Sequence, residues 1–239
     1  MRNALVIAGK EFRSYLTSPM AYIVIAIFIA ATGLFFGSAD LSPLTYSETS
    51  IRGFLQIASL LILLFAAIIT MRLIAEEKKL GTIELLFTAP VKDSEIILGK
   101  FLGSMGIMIV MLLLTAYFPI LLVIFGDPDI GPILSGYLGL FLLSCAALSV
   151  GIFTSAITSN QIVAAVIAGG ILFALWFMGS AASYLPAGLE NVIGFFSLSS
   201  YFPDFMRGVI DTRGIVFYIS VAALFIFLAI RSLENSRWS

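Results

Sequence analysis

The chain has 239 residues, of which 60% are hydrophobic and 11% charged, with 13 basic and 14 acidic side chains, a net charge of −1 and a mean hydropathy of +1.09. A soluble domain carries about 25% charged residues, so this composition, spread as serial uncharged runs, excludes an ordinary soluble globule and predicts a polytopic membrane protein. The near-zero net charge names no partner. The absence of histidine removes the commonest general base and metal ligand, and the one cysteine, Cys145, sits mid-run where it reads as a small buried hydrophobe.

Residues Arg2 to Ser18 come first. Leu5, Ala8, Phe12 and Leu16 share one helical face, and Lys10, Arg13 and Thr17 share another. That pattern predicts an amphipathic helix lying in the membrane surface, ended by Pro19. The charges at Lys10, Glu11 and Arg13 argue against a cleavable signal peptide. Uncharged runs then predict six spans, at about residues 20–39, 53–71, 101–125, 132–157, 162–182 and 215–230. The whole chain reads as a single transmembrane domain, 1–239. Pro119 is expected to kink the third span near its far end.

Three connections carry information. The longest charged one, Arg72 to Lys100, holds ten of the 27 charged residues, five of each sign. Gly81 offers a sharp turn, Thr82 a cap, Ile83, Leu86 and Phe87 an apolar face beside Glu84, and Pro90 a stop; Ser94 is a plausible cap for a second helical piece running into the third span. The pattern predicts a folded contact element that receives force from a soluble partner. Thr158 to Gln161 is a short polar turn. Ser183 to Gly214 holds Leu185, Leu189, Val192, Ile193, Phe195, Phe196, Phe202, Phe205 and Met206, more large apolar residues than a solvated loop tolerates. It is expected to dip into the outer interface or pack over the span ends.

With six spans the termini, the 72–100 stretch and the 158–161 turn fall on one side. Ten of the 13 basic residues lie there; Arg52, Arg207 and Arg213 lie on the other side. The positive-inside bias makes the first side cytoplasmic. Small residues at four-residue spacing (Gly99 and Gly103, Ala147 and Gly151, Ala165 and Gly169) mark places where spans can approach closely.

Some chemistry is missing from the sequence. There is no GxxxxGK[ST] loop, since Gly99-Lys100 lacks both the upstream glycine and the following hydroxyl. No acid or base falls within a predicted span, which argues against an ion-coupled carrier. No cysteine–histidine cluster suggests a metal, and no buried base is available to activate a serine.

The run Glu76-Glu77-Lys78-Lys79-Leu80-Gly81-Thr82-Ile83-Glu84-Leu85-Leu86, followed by Ala89-Pro90, Glu95 and Gly99-Lys100, resembles the cytoplasmic loop of type 2 ABC exporter permeases. The opening Lys10-Glu11-Phe12-Arg13-Ser14-Tyr15 and Ser18-Pro19-Met20-Ala21-Tyr22 is similar to the gliding-motility-associated branch. The resemblance covers the whole chain. It implies an all-α membrane subunit with an N-terminal surface helix, a cytoplasmic coupling helix between spans 2 and 3 and a re-entrant outer connection before span 6. It implies docking on a separate cytoplasmic ABC ATPase through Glu76, Glu77, Gly81, Thr82, Ile83, Glu84, Leu85, Leu86 and Pro90, with a lesser contact at Ser159 and Asn160. It further implies a second permease subunit, the same chain or a related one, with the path between facing first, second and fifth spans. ATP and magnesium are expected on the ATPase and no cofactor on this chain; membrane lipid is an expected partner, nucleic acid is not. The expected location is the inner membrane of a prokaryote, with both termini cytoplasmic. Two other readings stay open: a non-transporting module whose ATPase cycle moves an outer partner, and an ion-coupled carrier acting alone.

Overall fold

The computed structural model describes residues 2–37, 51–82, 91–126, 128–182, 186 and 192–237. Among these, the regular elements are helices: α1 (Arg2–Thr17), α2 (Pro19–Gly37), α3 (Arg52–Thr70), α4 (Ala75–Lys79), α5 (Asp93–Thr115), α6 (Tyr117–Phe125), α7 (Ile130–Ile157), α8 (Gln161–Ala182), α9 (Phe202–Met206) and α10 (Thr212–Arg237). Six helical runs are long and apolar enough to cross a membrane, and the second and third, Arg52–Lys79 and Asp93–Phe125, extend beyond the uncharged runs they contain. A helix is the expected answer to an apolar run in lipid, because it satisfies every backbone group within one segment.

α7 is the axis of the bundle. It touches α3, α5, α8, α9 and α10, and most of its length is buried. Its small residues make this possible: Gly136 lies under Leu55, Gly139 under Phe205 and Gly151 under Thr70, each with no room for a side chain. Three of its buried hydroxyls bond to its own backbone, Ser144 to Leu140 O at 2.7 Å, Ser149 to Ala146 O at 2.6 Å and Thr154 to Gly151 O at 2.9 Å. They are therefore satisfied without forming a polar row through the bundle. By contrast α2, α8 and α10 leave most of their apolar surface uncovered in the single chain.

The glycines of the third span do something other than join two spans. Gly99 and Gly103 face α1: a β-carbon on Gly99 would stand 2.7 Å from Ile7 Cβ and 2.9 Å from Ala4 O, and one on Gly103 would stand 2.6 Å from Glu11 Cβ. Successive turns of α1 thus rest on successive turns of α5, with backbone nearly against backbone. α1 still presents Leu5, Val6 and Leu16 outward, as an interfacial helix does. In the fifth span a β-carbon on Gly169 would meet nothing within 4 Å among the described residues, so this glycine makes no close approach there.

The break in the third span falls at Ala116, between α5 and α6. Pro119 explains it: proline has no N–H for the carbonyl four residues back, at Thr115, and its ring crowds that carbonyl. α5 begins at Asp93 rather than at a Ser94 cap; Lys92 holds the cap position, and the Glu95 carboxylate accepts from the Lys92 N–H at 3.5 Å.

At the far end of the bundle the connection into α10 turns back among the helices. Leu198 N–H donates to Leu175 O at 3.1 Å, Tyr218 hydroxyl donates to Leu198 O at 2.7 Å and Ser135 hydroxyl donates to Phe205 O at 2.6 Å. Leu198, Phe202 and Phe205 are buried. Trp176, whose carbonyl accepts from Ser197 and Ser199, lies six residues before the end of α8, so the connection reaches about 9 Å inside the helix ends. The expectation that it packs over the span ends holds for 197–206; Val192, Phe195 and Phe196 are exposed, and Leu185 and Leu189 lie outside the described residues.

Candidate functional site

Two charged residues of the 72–100 stretch, Glu77 and Lys100, meet a third from α1, Glu11. α5 and α6 together run 33 residues, about 50 Å of helix against about 30 Å of hydrocarbon, so the first turns of α5 project past the apolar core. Lys100 lies in this part and is 2% exposed. Its ammonium donates to Glu77 Oε1 of α4 at 2.7 Å and to Glu11 Oε1 of α1 at 3.0 Å. A buried ammonium is held only where carboxylates replace its water. Here two supply that, and they tie three elements from distant parts of the chain.

Beside this triad opens a polar cavity of about 280 Å³, lined among others by Lys10, Arg72, Glu76 and Glu77. Arg72 stacks its guanidinium 4.6 Å from the centroid of the Tyr15 ring and reaches Ser18 Oγ at 3.4 Å. The Tyr15 hydroxyl donates to Ile69 O at 2.8 Å. Burial pushes this phenol well above its ordinary range, so it stays a protonated donor.

α4 is stapled to the end of α7. Ile74, its cap residue, has no local side-chain bond to offer. The two backbone donors at the start of the helix, Ile74 N–H and Ala75 N–H, go instead to Ser155 Oγ at 3.1 and 3.0 Å, and that hydroxyl donates onward to Met71 O at 3.2 Å. Ser155 thus caps α4 from another helix. At the other end of α4, the Lys78 ammonium donates to Ala156 O, which also accepts from Ser232 Oγ of α10 at 3.3 Å. Placing a cation on the last carbonyls of α7 suits the negative end of that helix, although burial lowers the Lys78 pKa.

Among the residues expected at a partner contact, the structure brings together Glu76 and Glu77 on α4. Gly81 has φ of +69°, the left-handed conformation of a sharp turn. Thr82 Oγ1 donates to Glu77 O at 3.4 Å, closing α4. Ile83, Glu84, Leu85, Leu86 and Pro90 lie outside the described residues. Ser159 is exposed. Asn160 serves the fifth span directly: its Oδ1 accepts from Ile162 N–H at 3.0 Å and Val163 N–H at 3.4 Å, an N-cap for α8. The turn that carries Ser159 and Asn160 starts three residues after Ser155, so both expected contact regions hang from one end of α7.

Lys100, Glu11 and Ser155 are not among the expected site residues. A cation at the mouth of an apolar run, one residue after Gly99, was a signal for Lys100.

A helical bundle with six runs able to cross a membrane is the architecture of a multi-pass membrane protein. The chain matches the family described as ABC-2 family transporter protein over residues 5–230. It belongs to that family. No curated protein matches the chain. ABC-2 permeases are the membrane component of their transporters and are not themselves ATPases. The chain is therefore a multi-pass ABC transporter permease.

Proposed function

We propose that this permease is the transmembrane subunit of an ATP-driven exporter in a prokaryotic inner membrane, with both termini cytoplasmic. A separate ATPase subunit, carrying ATP and magnesium, docks on the 72–100 stretch through Gly81 to Leu86, with Ser159 and Asn160 as a lesser contact. A second permease subunit completes the path. The observation that carries this reading is Lys100, which ties α4 to α1 and to the base of the third span. A push on the segment beyond Gly81 enters α4, and from there two buried carboxylate contacts and the Ser155 staple pass it to α1, α5 and α7. The uncovered faces of α2 and α8 support a second subunit on that side, as the family resemblance implies. The likeness of the opening segment to the gliding-motility-associated branch belongs to this proposal and names no cargo.

Glu84 is the residue on which to test it. At a desolvated interface a reversed charge buries like charges together, a penalty on the order of several kcal/mol. Glu84→Lys is expected to abolish ATPase association or uncouple hydrolysis from transport while the chain still inserts. Glu48→Lys, placed on the opposite side by the topology, is the matched control and is expected to leave both unchanged. Full coupling and partner affinity in both variants would remove the 72–100 stretch as the coupling element.

A further inference from the structure

At the end of the bundle away from Lys100, an apolar groove of about 610 Å³ runs between the returning connection and α10. Its floor is one stripe of α10: Arg213, Val216, Phe217, Ser220, Val221 and Leu224, spaced by three and four residues as one helix face requires. Its wall is aromatic and interlocked, with Phe217 4.6 Å from Tyr201 and 6.3 Å from Phe195 between ring centroids. Arg213 is the one charged residue lining it among those described. The neighbouring carboxylate, Asp211, accepts from the Arg213 backbone N–H at 2.9 Å and makes no ion pair with the Arg213 guanidinium among the described residues.

This polarity has a direction and a length. The charge sits in the first turn of α10, and everything deeper is apolar but for Ser220. From Arg213 to Leu224 is eleven residues, about 16 Å, or half of the roughly 30 Å hydrocarbon core. The groove is one leaflet deep, with a cation at its rim. We infer that it is a binding site for a single phospholipid with an anionic headgroup. The Arg213 guanidinium takes the phosphate, for which its planar fork is suited, and an acyl chain lies along Val216, Phe217, Val221 and Leu224. A bare hydrophobic occupant would leave the cation unused, and the charge complementarity selects the anionic lipid.

Native mass spectrometry of the purified permease with dioleoyl phosphatidylglycerol and dioleoyl phosphatidylcholine tests this. The parent chain is expected to retain phosphatidylglycerol in preference. That preference is expected to fall about fivefold in Arg213→Gln, the worth of one basic side chain near an anionic surface. It is expected to survive in Arg213→Lys and in Arg207→Gln, which removes the same charge off the groove. Val221→Trp, which fills the groove, is expected to lose both lipids. Equal retention across Arg213→Gln, Arg207→Gln and Val221→Trp overturns the site. So does a disulfide between two copies carrying Leu224→Cys in a Cys145→Ala background, since a second chain would then occupy the groove.

Discussion

Lys100 and Glu77 meet at 2.7 Å with the ammonium almost wholly removed from water, and the second carboxylate, Glu11, arrives from a helix 89 residues earlier. Removing the cation alone leaves two largely buried acids facing each other. Lys100→Met is therefore expected to destabilise the permease by about 3 kcal/mol. The triple variant with Glu11→Gln and Glu77→Gln is expected to recover most of that loss, because no charge is then stranded. Thermal unfolding in detergent reads both. A Lys100→Met chain as stable as its parent would show that the triad holds nothing together.

The glycine seam makes a second comparison possible. A β-carbon at Gly103 meets Glu11 Cβ at 2.6 Å and Ala8 O at 3.2 Å, atoms that give way only if α1 moves. Gly103→Val is expected to cost about 1–3 kcal/mol as overpacking and to make α1 more susceptible to proteolysis. Gly169→Val, at a glycine with open space around it, is expected to leave the fold of the single chain intact. Should the two behave alike, the seam is not what seats α1.

Ser155 and Ser149 lie on the same helix, and both are buried. Ser149 bonds within its own helix, whereas Ser155 serves two backbone donors of α4. Ser155→Ala strands those donors, which costs about 1–3 kcal/mol, and hydrogen exchange at Ile74 and Ala75 is expected to accelerate. Ser149→Ala is expected to be nearly silent in the same measurement. Unchanged protection at Ala75 in Ser155→Ala would mean that α4 does not need its cap.

Lys79 and Asp129 are exposed at opposite ends of the bundle. Single cysteines at these positions, in a Cys145→Ala background, are expected to react with an impermeant thiol reagent from opposite sides of the membrane. Labelling of the Lys79 site from outside intact cells would invert the orientation derived from the basic residues.

How much of this was readable from the residues depends on how local each signal is. The six spans were legible because an uncharged run of span length needs no partner to declare itself. The turn at Gly81 and the break caused by Pro119 were legible because a single residue sets each. The glycines 99 and 103 declared a close approach but not the helix that makes it: α1 is about ninety residues away in sequence, and its matching small pair, Ala4 and Ala8, names no partner. The triad was illegible for the same reason, since Glu11 and Glu77 look like any other acids until the fold brings them to Lys100. Ser155 could not be told from Ser144 or Ser149, because the difference lies in which backbone donors come within reach. Ser94 was a reasonable cap by residue type, but the cap lies two residues earlier, at Lys92, where Glu95 can reach back to the Lys92 N–H.

The seam between α1 and α5 has a mechanical consequence. With no α5 side chain at Gly99 or Gly103, Ile7 and Glu11 of α1 rest directly on the α5 backbone, so the two helices cannot slide past each other there by changing α5 rotamers, and they tilt as one stiff member. Taken as a rod pinned at Lys100, α5 has about 10 Å of length on the Asp93 side and about 22 Å on the Thr115 side. A displacement at Asp93 then arrives at Thr115 reversed in sense and about doubled, and the break at Ala116 is where the rod ends and α6 is free to follow its own course.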